Sequence, residues 1–427
     1  MRVLHSAAMG LAVLMCTVSI PAMAEFKCGA ALRVVTPEAP LPVTGGSYPE
    51  PASRIVGDLF ARAMVFEQDG ERVAIVGMDF LGWPAVLGDR IRAQVDGIPA
   101  ENILIGATHT HSAPDPYGFP GPGGKYGADL DYLNWVCRKA AEAINEAVDE
   151  LEPASLKVAV DEAKGKIAYN YYAPKLYDPR CGVVQTIAKD DPDRVIGTLV
   201  NYASHPEVLG SGQGILSPDW CGPFYDKIES EAGGVALYMN SAQGGMVTAD
   251  CRGEDGKDVQ TWEECIRIGE LLATEALRIV SDAPPQTEPG LYCAAKEVTF
   301  PIDSADLRAI LEHSALDFKG ESNDSITTTV NLVNLGTAQM LTIPGEALPN
   351  IGYYVKRNMP TRHPFLLGLT NDAFGYMLTK VDFKSFRRYN YISRVSLGEM
   401  TGEIYIEEAL ELVKANPKPD NPPTSAS

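Results

Sequence analysis

Gly106-Ala107-Thr108-His109-Thr110-His111-Ser112 follows directly on the apolar run Asn102-Ile103-Leu104-Ile105. The chain has six histidines, and two of them fall here, two residues apart. A third, His205, ends an equivalent run, Val195-Ile196-Gly197-Thr198-Leu199-Val200-Asn201-Tyr202-Ala203-Ser204. Histidines at strand ends are raw material for a metal site, because rigid elements fix ligand geometry better than loops. Two further segments share the design of an apolar strand followed by a polar residue. They are Met340-Leu341-Thr342-Ile343-Pro344-Gly345-Glu346 and the stretch from Phe365 to Leu369-Thr370-Asn371-Asp372-Ala373-Phe374-Gly375-Tyr376. Strand ends converging on one side of a sheet make a natural site. Two histidines and a carboxylate suit Zn²⁺, one per chain, and leave room for water or substrate. Each member alone is equally the satisfied end of a packed strand, so the set carries the reading.

Outward from this motif, strands and helices mix along the whole chain. Ala63-Met64-Val65-Phe66 and Val73-Ala74-Ile75-Val76 flank Asp69-Gly70, a hairpin signal. Leu133, Val136, Ala140, Ile144, Ala147 and Leu151 recur at helical spacing over 131–151. Helices are also expected over 263–280 and 403–415, and strands over 182–187, 196–202, 235–239, 338–343 and 365–369. The fold class is α/β, with mixed sheets flanked by helices. No Pro/Ser linker interrupts residues 30–415, so a single domain over 25–415 is expected.

The ends read differently. Arg2, the apolar stretch 7–20 and Ala22-Met23-Ala24 form a signal peptide over residues 1–24, which predicts export to the periplasm or beyond. Residues 416–427, rich in Pro, Ser and Asp, are expected to be a disordered tail. No later run is apolar enough to cross a bilayer. The net charge of −20 excludes nucleic acid as a partner and argues against electrostatic docking on an anionic membrane. Eight cysteines occur, and Cys16 lies in the leader, so the remainder are odd in number. Cys251 and Cys265 flank a polar loop and are the expected disulfide pair, whereas Cys137 lies on the apolar side of a helix.

These residues resemble the neutral, non-lysosomal ceramidases. The fixed points are Ala107-Thr108-His109-Thr110-His111-Ser112, Ser204-His205-Pro206, Pro344-Gly345-Glu346, and the 371–376 segment followed by Arg388-Tyr389. Order and rough spacing agree over about Ala31 to Val413. The resemblance implies His109, His205, Glu346 and Tyr376 as zinc ligands, and His111 and Tyr389 as groups that polarise the scissile carbonyl. It implies hydrolysis of the amide of an N-acylated sphingoid base, and it supports the Cys251–Cys265 bridge.

Three departures accompany the resemblance. Thr248, within Gly244-Gly245-Met246-Val247-Thr248, stands where the family has its serine nucleophile, and Met246 replaces an aspartate. Asn170-Tyr171 replaces an Asn-Arg pair, placing Tyr171 at the substrate. The family's C-terminal β-sandwich domain is expected to be missing. Attack is open to Thr248 or to water activated at the metal, and the lost serine favours water. The Pro/Gly-rich loop 113–124 offers Tyr117 and Phe119 to an acyl group, or is a plain surface loop. A lipid-like N-acyl substrate is the expected partner. A zinc esterase or lactonase and a non-catalytic exported protein are the alternatives.

Overall fold

The positive-φ residues Asp69 and Gly70 turn the chain between two long strands, as the dipeptide predicts. The computed structural model describes residues 25–45, 49–118, 127–316, 318 and 324–420. Residues 1–24, where the leader is expected, Phe119 and residues 421–427 lie outside them. Eight strands form the main sheet: β1 (Lys27–Val34), β2 (Phe60–Gln68), β3 (Glu71–Met78), β4 (Ile103–Ala107), β5 (Glu152–Glu162), β6 (Arg180–Ala188), β7 (Val195–Tyr202) and β8 (Val235–Asn240). Their order is β8-β7-β6-β5-β1-β2-β3-β4. The edge pairs β7/β8 and β3/β4 are parallel.

β1 and β5 share only the pairs Lys27↔Pro153 and Cys28↔Glu152. At this narrow join the sheet folds over, and its halves face each other. Met64, Ile75 and Leu104 from one half pack with Val184, Leu199 and Leu237 from the other. A second sheet closes this core with Leu335, Met340 and Phe365. It runs β9 (Leu291–Pro301), β10 (Ser325–Leu335), β11 (Ala338–Thr342) and β12 (His363–Leu367), with β11 and β12 parallel.

Helices cover the outer faces. α1 (Ala85–Arg92) lies on α2 (Leu130–Asp149), which packs on β1 and β2. Leu133, Val136, Ala140, Ile144 and Ala147 of α2 are buried, the expected stripe, and each large side chain so buried contributes about 1.5–3 kcal/mol. The Asp129 carboxylate caps α2 by accepting from Tyr132 N. α3 (Cys221–Ala232) and α4 (Trp262–Ser281) cover the other half of the sheet. α5 (Ala305–His313) lies between β9 and β10 in sequence, and α6 (Pro349–Asn358) and α7 (Thr401–Ala415) pack on the second sheet. Among the described residues no helix is long and apolar enough to cross a membrane.

Two expectations are corrected. Cys251 and Cys265 are free, buried thiols, not a disulfide. The loop between them is already closed by backbone bonds, Val259 N to Cys251 O (2.9 Å) and Gly253 N to Lys257 O (2.7 Å). Both thiols pack among Ile268, Trp220 and Val247 as small apolar groups. The tail is ordered at its start. Tyr292 Oη donates to Asn416 Oδ1 (2.6 Å), Asn334 Nδ2 to Pro417 O (2.7 Å) and Gly290 N to Asp420 Oδ2 (2.7 Å). Residues 416–420 thus satisfy polar groups of β9, β10 and the chain just before β9.

Candidate metal centre

Strand ends are tied together before any side chain is considered. Ala107 N donates to Leu369 O (3.1 Å) and Asn371 N to Ile105 O (2.8 Å), which joins the end of β4 to the chain leaving β12. Gly106 permits this approach, since a Cβ there would lie 2.5 Å from Met239 Cε and 2.6 Å from Thr370 Oγ1. Asn240, the fully buried last residue of β8, donates through Nδ2 to Thr108 O and Ser204 O, both at 3.0 Å. Those two residues immediately precede His109 and His205. His111 N donates to Pro206 O (3.0 Å), a second tie between the two histidine loops. Glu346 and Tyr376 are register partners in a short parallel pair, Glu346–Ala347 with Tyr376–Met377.

His109 is held at φ +73°, a left-handed conformation that costs a β-carbon residue on the order of 1–3 kcal/mol. Its Nδ1 bonds Leu81 O, and His205 Nδ1 bonds Val247 O at 2.6 Å. Each carbonyl can only accept, so each imidazole carries its proton on Nδ1 and presents a bare Nε2. Both bare nitrogens face one carboxylate oxygen. Glu346 Oε2 lies 3.4 Å from His109 Nε2 and 3.2 Å from His205 Nε2. His205 Nε2, Glu346 Oε2 and His111 Nε2 are buried without a hydrogen-bond partner. Lone pairs aimed at lone pairs in a buried site call for a cation between them. Ligand atoms of His109, His111 and His205 lie within 4.8 Å of one another. Burial raises the Glu346 carboxyl, and only positive charge beside it, on the two imidazoles or on a cation between them, holds it below the usual carboxylate range.

The structure brings together His109, His205 and Glu346 as expected, with His111 beside them. Tyr376 is adjacent. Its hydroxyl donates to Met246 Sδ (3.6 Å), and burial, then the nearby Glu346 carboxylate, keep the phenol neutral. A cavity of about 420 Å³, mostly apolar in lining, opens over this cluster, with His109, His111, Glu346, Tyr376 and Tyr117 in its wall. Tyr117 is seated against Gly82, where a Cβ would come 1.9 Å from its Oη. Tyr389 and Tyr171 stand aside from that wall, in an aromatic cluster with Tyr172. Their neighbour Tyr391 does line the cavity, with Tyr117 and Tyr376. Thr248 pairs through its backbone with His205.

Glu207 was not singled out from the sequence. Its carboxylate bridges the site, with Oε1 3.2 Å from His111 Nδ1 and Oε2 accepting from Thr248 Oγ1 at 3.5 Å. Burial raises this carboxyl, whereas positive charge at the histidine cluster and donation from His111 pull it down to about 2. Its signal was an acid two residues after His205. Asp219, just before α3, sits at φ +55° and accepts from Leu209 N and Trp220 N, anchoring the chain after His205.

No family model matches the chain, and no curated protein sequence matches it. Solved structures do. Neutral ceramidase from Pseudomonas aeruginosa is similar with a TM-score of 0.76 at 17% identity, over 94% of this chain and 76% of that one. A ceramidase complexed with C2 is similar with a TM-score of 0.75 at 17% identity, over 94% and 77%. At this identity the likeness concerns architecture: the chain has the neutral ceramidase fold, with its histidine cluster at the strand ends.

Proposed function

We propose that this chain is an exported zinc hydrolase that cleaves the amide bond of a lipid-like N-acyl substrate, ceramide or a relative of it. The observation that supports it is the convergence of unpartnered Nε2 and carboxylate atoms at the floor of an apolar cavity. His109, His205 and Glu346 would hold the metal, with Tyr376 completing the set. When bound, zinc would polarise the scissile carbonyl and make water a better nucleophile, worth several kcal/mol of barrier. The chain's own residues supply the rest. Leu81 O and Val247 O fix the ligand tautomers. His111 is held at Nδ1 by Glu207, and as the imidazolium it would donate from Nε2 to the developing oxyanion. Tyr117 and the apolar wall receive the acyl chain and exclude water. Thr248 donates to Glu207, the arrangement a threonine nucleophile would need, but water remains the favoured attacking group.

Amide and ester substrates sharing one acyl chain test this directly. Amide cleavage that disappears in His205→Ala supports the proposal. Ester cleavage alone moves the site to an esterase or lactonase. No turnover of either by metal-replete protein leaves a non-catalytic chain with this fold.

A further inference from the structure

The chain's charge is unevenly spread. Across most of the surface, arginines and lysines sit against carboxylates, as Arg33 does with Glu146, Arg194 with Glu152 and Arg278 with Glu275. Residues 380–388 differ: Lys380-Val381-Asp382-Phe383-Lys384-Ser385-Phe386-Arg387-Arg388 places four cations against one acid. Among the described residues none of the four has a carboxylate in ion-pair reach. Asp382 is occupied elsewhere, accepting from Thr379 Oγ1 (2.6 Å) and Asn350 Nδ2 (2.8 Å).

Large apolar side chains stand out among these cations. Val381 is 80% exposed, and Phe386 and Tyr171 are each 61% exposed. Exposed Lys175 and Leu176 border Tyr171. The patch is continuous with the candidate centre. Ring contacts run from Phe386 to Tyr389 (5.4 Å), Tyr172 (5.6 Å) and Tyr171 (5.9 Å). Tyr172 and Tyr389 pack in one small cluster with Tyr376. Arg388 Nη1 donates to Tyr172 O (2.6 Å), fixing the two segments to each other.

We infer that the face formed by residues 380–388 and 171–176 docks on an anionic lipid bilayer. Unpaired cations are drawn to anionic headgroups, and aromatic and aliphatic side chains between them enter the headgroup layer. The net charge of −20 disfavours approach through the carboxylate-rich remainder of the surface, so docking is oriented. The distribution of charge decides here, not its sum. Docking requires no hydrolysis, so its failure and the failure of the proposed activity are separately visible.

The test is sedimentation of the mature protein with vesicles of phosphatidylcholine, alone or mixed with phosphatidylglycerol. Binding is expected only to the mixed vesicles, and weaker as salt shortens the Debye length from about 10 Å at 0.1 M to about 3 Å at 1 M. Lys384→Gln with Arg387→Gln should bind about 25-fold more weakly, roughly fivefold per cation removed. Val381→Ser with Phe386→Ser should also weaken binding, whereas Lys157→Gln with Lys164→Gln, away from the patch, should not. Thermal unfolding at the wild-type temperature shows that each variant is folded. Equal binding to both vesicle types, binding to neither, or patch variants that bind like wild type would overturn the inference.

Discussion

His109 shows at one residue how this site is made. Its positive φ is tolerated because Phe80 O, Leu81 O and, through Thr108, Asn240 all hold it. Asn240→Ala strands two buried carbonyls and should cost about 2 kcal/mol in chemical denaturation. It should also weaken zinc binding on the order of 10–100-fold in a metal titration, as losing a supporting partner does. Thr248→Val should keep activity within about tenfold of wild type if water attacks; a loss on the order of 10³-fold would assign attack to the threonine. His109, His205 and Glu346 were legible as polar residues that follow apolar strands, whereas Tyr376 came only from the resemblance, since it closes no apolar run. Asn240 was not, because its role lies in contacts to Thr108, 132 positions away, which no local pattern records. Glu207 was visible but silent, since an acid after His-Pro gains meaning only from where His111 and Thr248 arrive.

Elements were legible where burial is one-sided. The hairpin at Asp69-Gly70, α2 and α4 follow from periodicity and turn chemistry. β9 escaped, because it is only partly buried along most of its length and its alternation is weak. The cysteine pair misled because flanking a loop does not show whether the loop needs a covalent clasp. The seven described cysteines are all free, so reductant should leave the melting temperature unchanged, and unfolded protein should titrate with a thiol reagent without prior reduction. A melting temperature that drops on reduction would restore the bridge. Gly244 is a position where two segments of the site meet closely: a Cβ there would stand 2.1 Å from Glu346 O. Gly244→Ala should therefore cost at least about 1–3 kcal/mol by overpacking and displace Glu346, read as lost stability together with lost metal affinity.

At the scale of the molecule, folding the main sheet over on itself brings β4, β7 and β8 to one end, where the second sheet adds Glu346 and Tyr376. The sequence announced strands and helices but not this closure, which depends on the two-pair join of β1 and β5. One buried ion pair also spans the assembly: Lys356 Nζ of α6 lies 2.9 Å from Asp178 Oδ2, each side chain 4% exposed. Burial raises the Asp178 carboxyl, but Lys356 and Arg180 outweigh it and hold it at about 2, below its ordinary 3.8. The resulting stability is present above pH 3.8 and is lost as pH falls through 2. Acid unfolding should steepen across that window. Lys356→Met should destabilise the protein by about 3 kcal/mol at neutral pH, because the buried carboxylate loses a partner.

The claim on which the rest depends is that the strand-end cluster holds a metal. Metal content of the purified protein, measured by mass spectrometry beside folded His205→Ala, tests it most directly. About one zinc per chain, absent from the variant, is the predicted result. Well-folded wild-type protein without stoichiometric metal, or a variant that keeps it, would contradict the account.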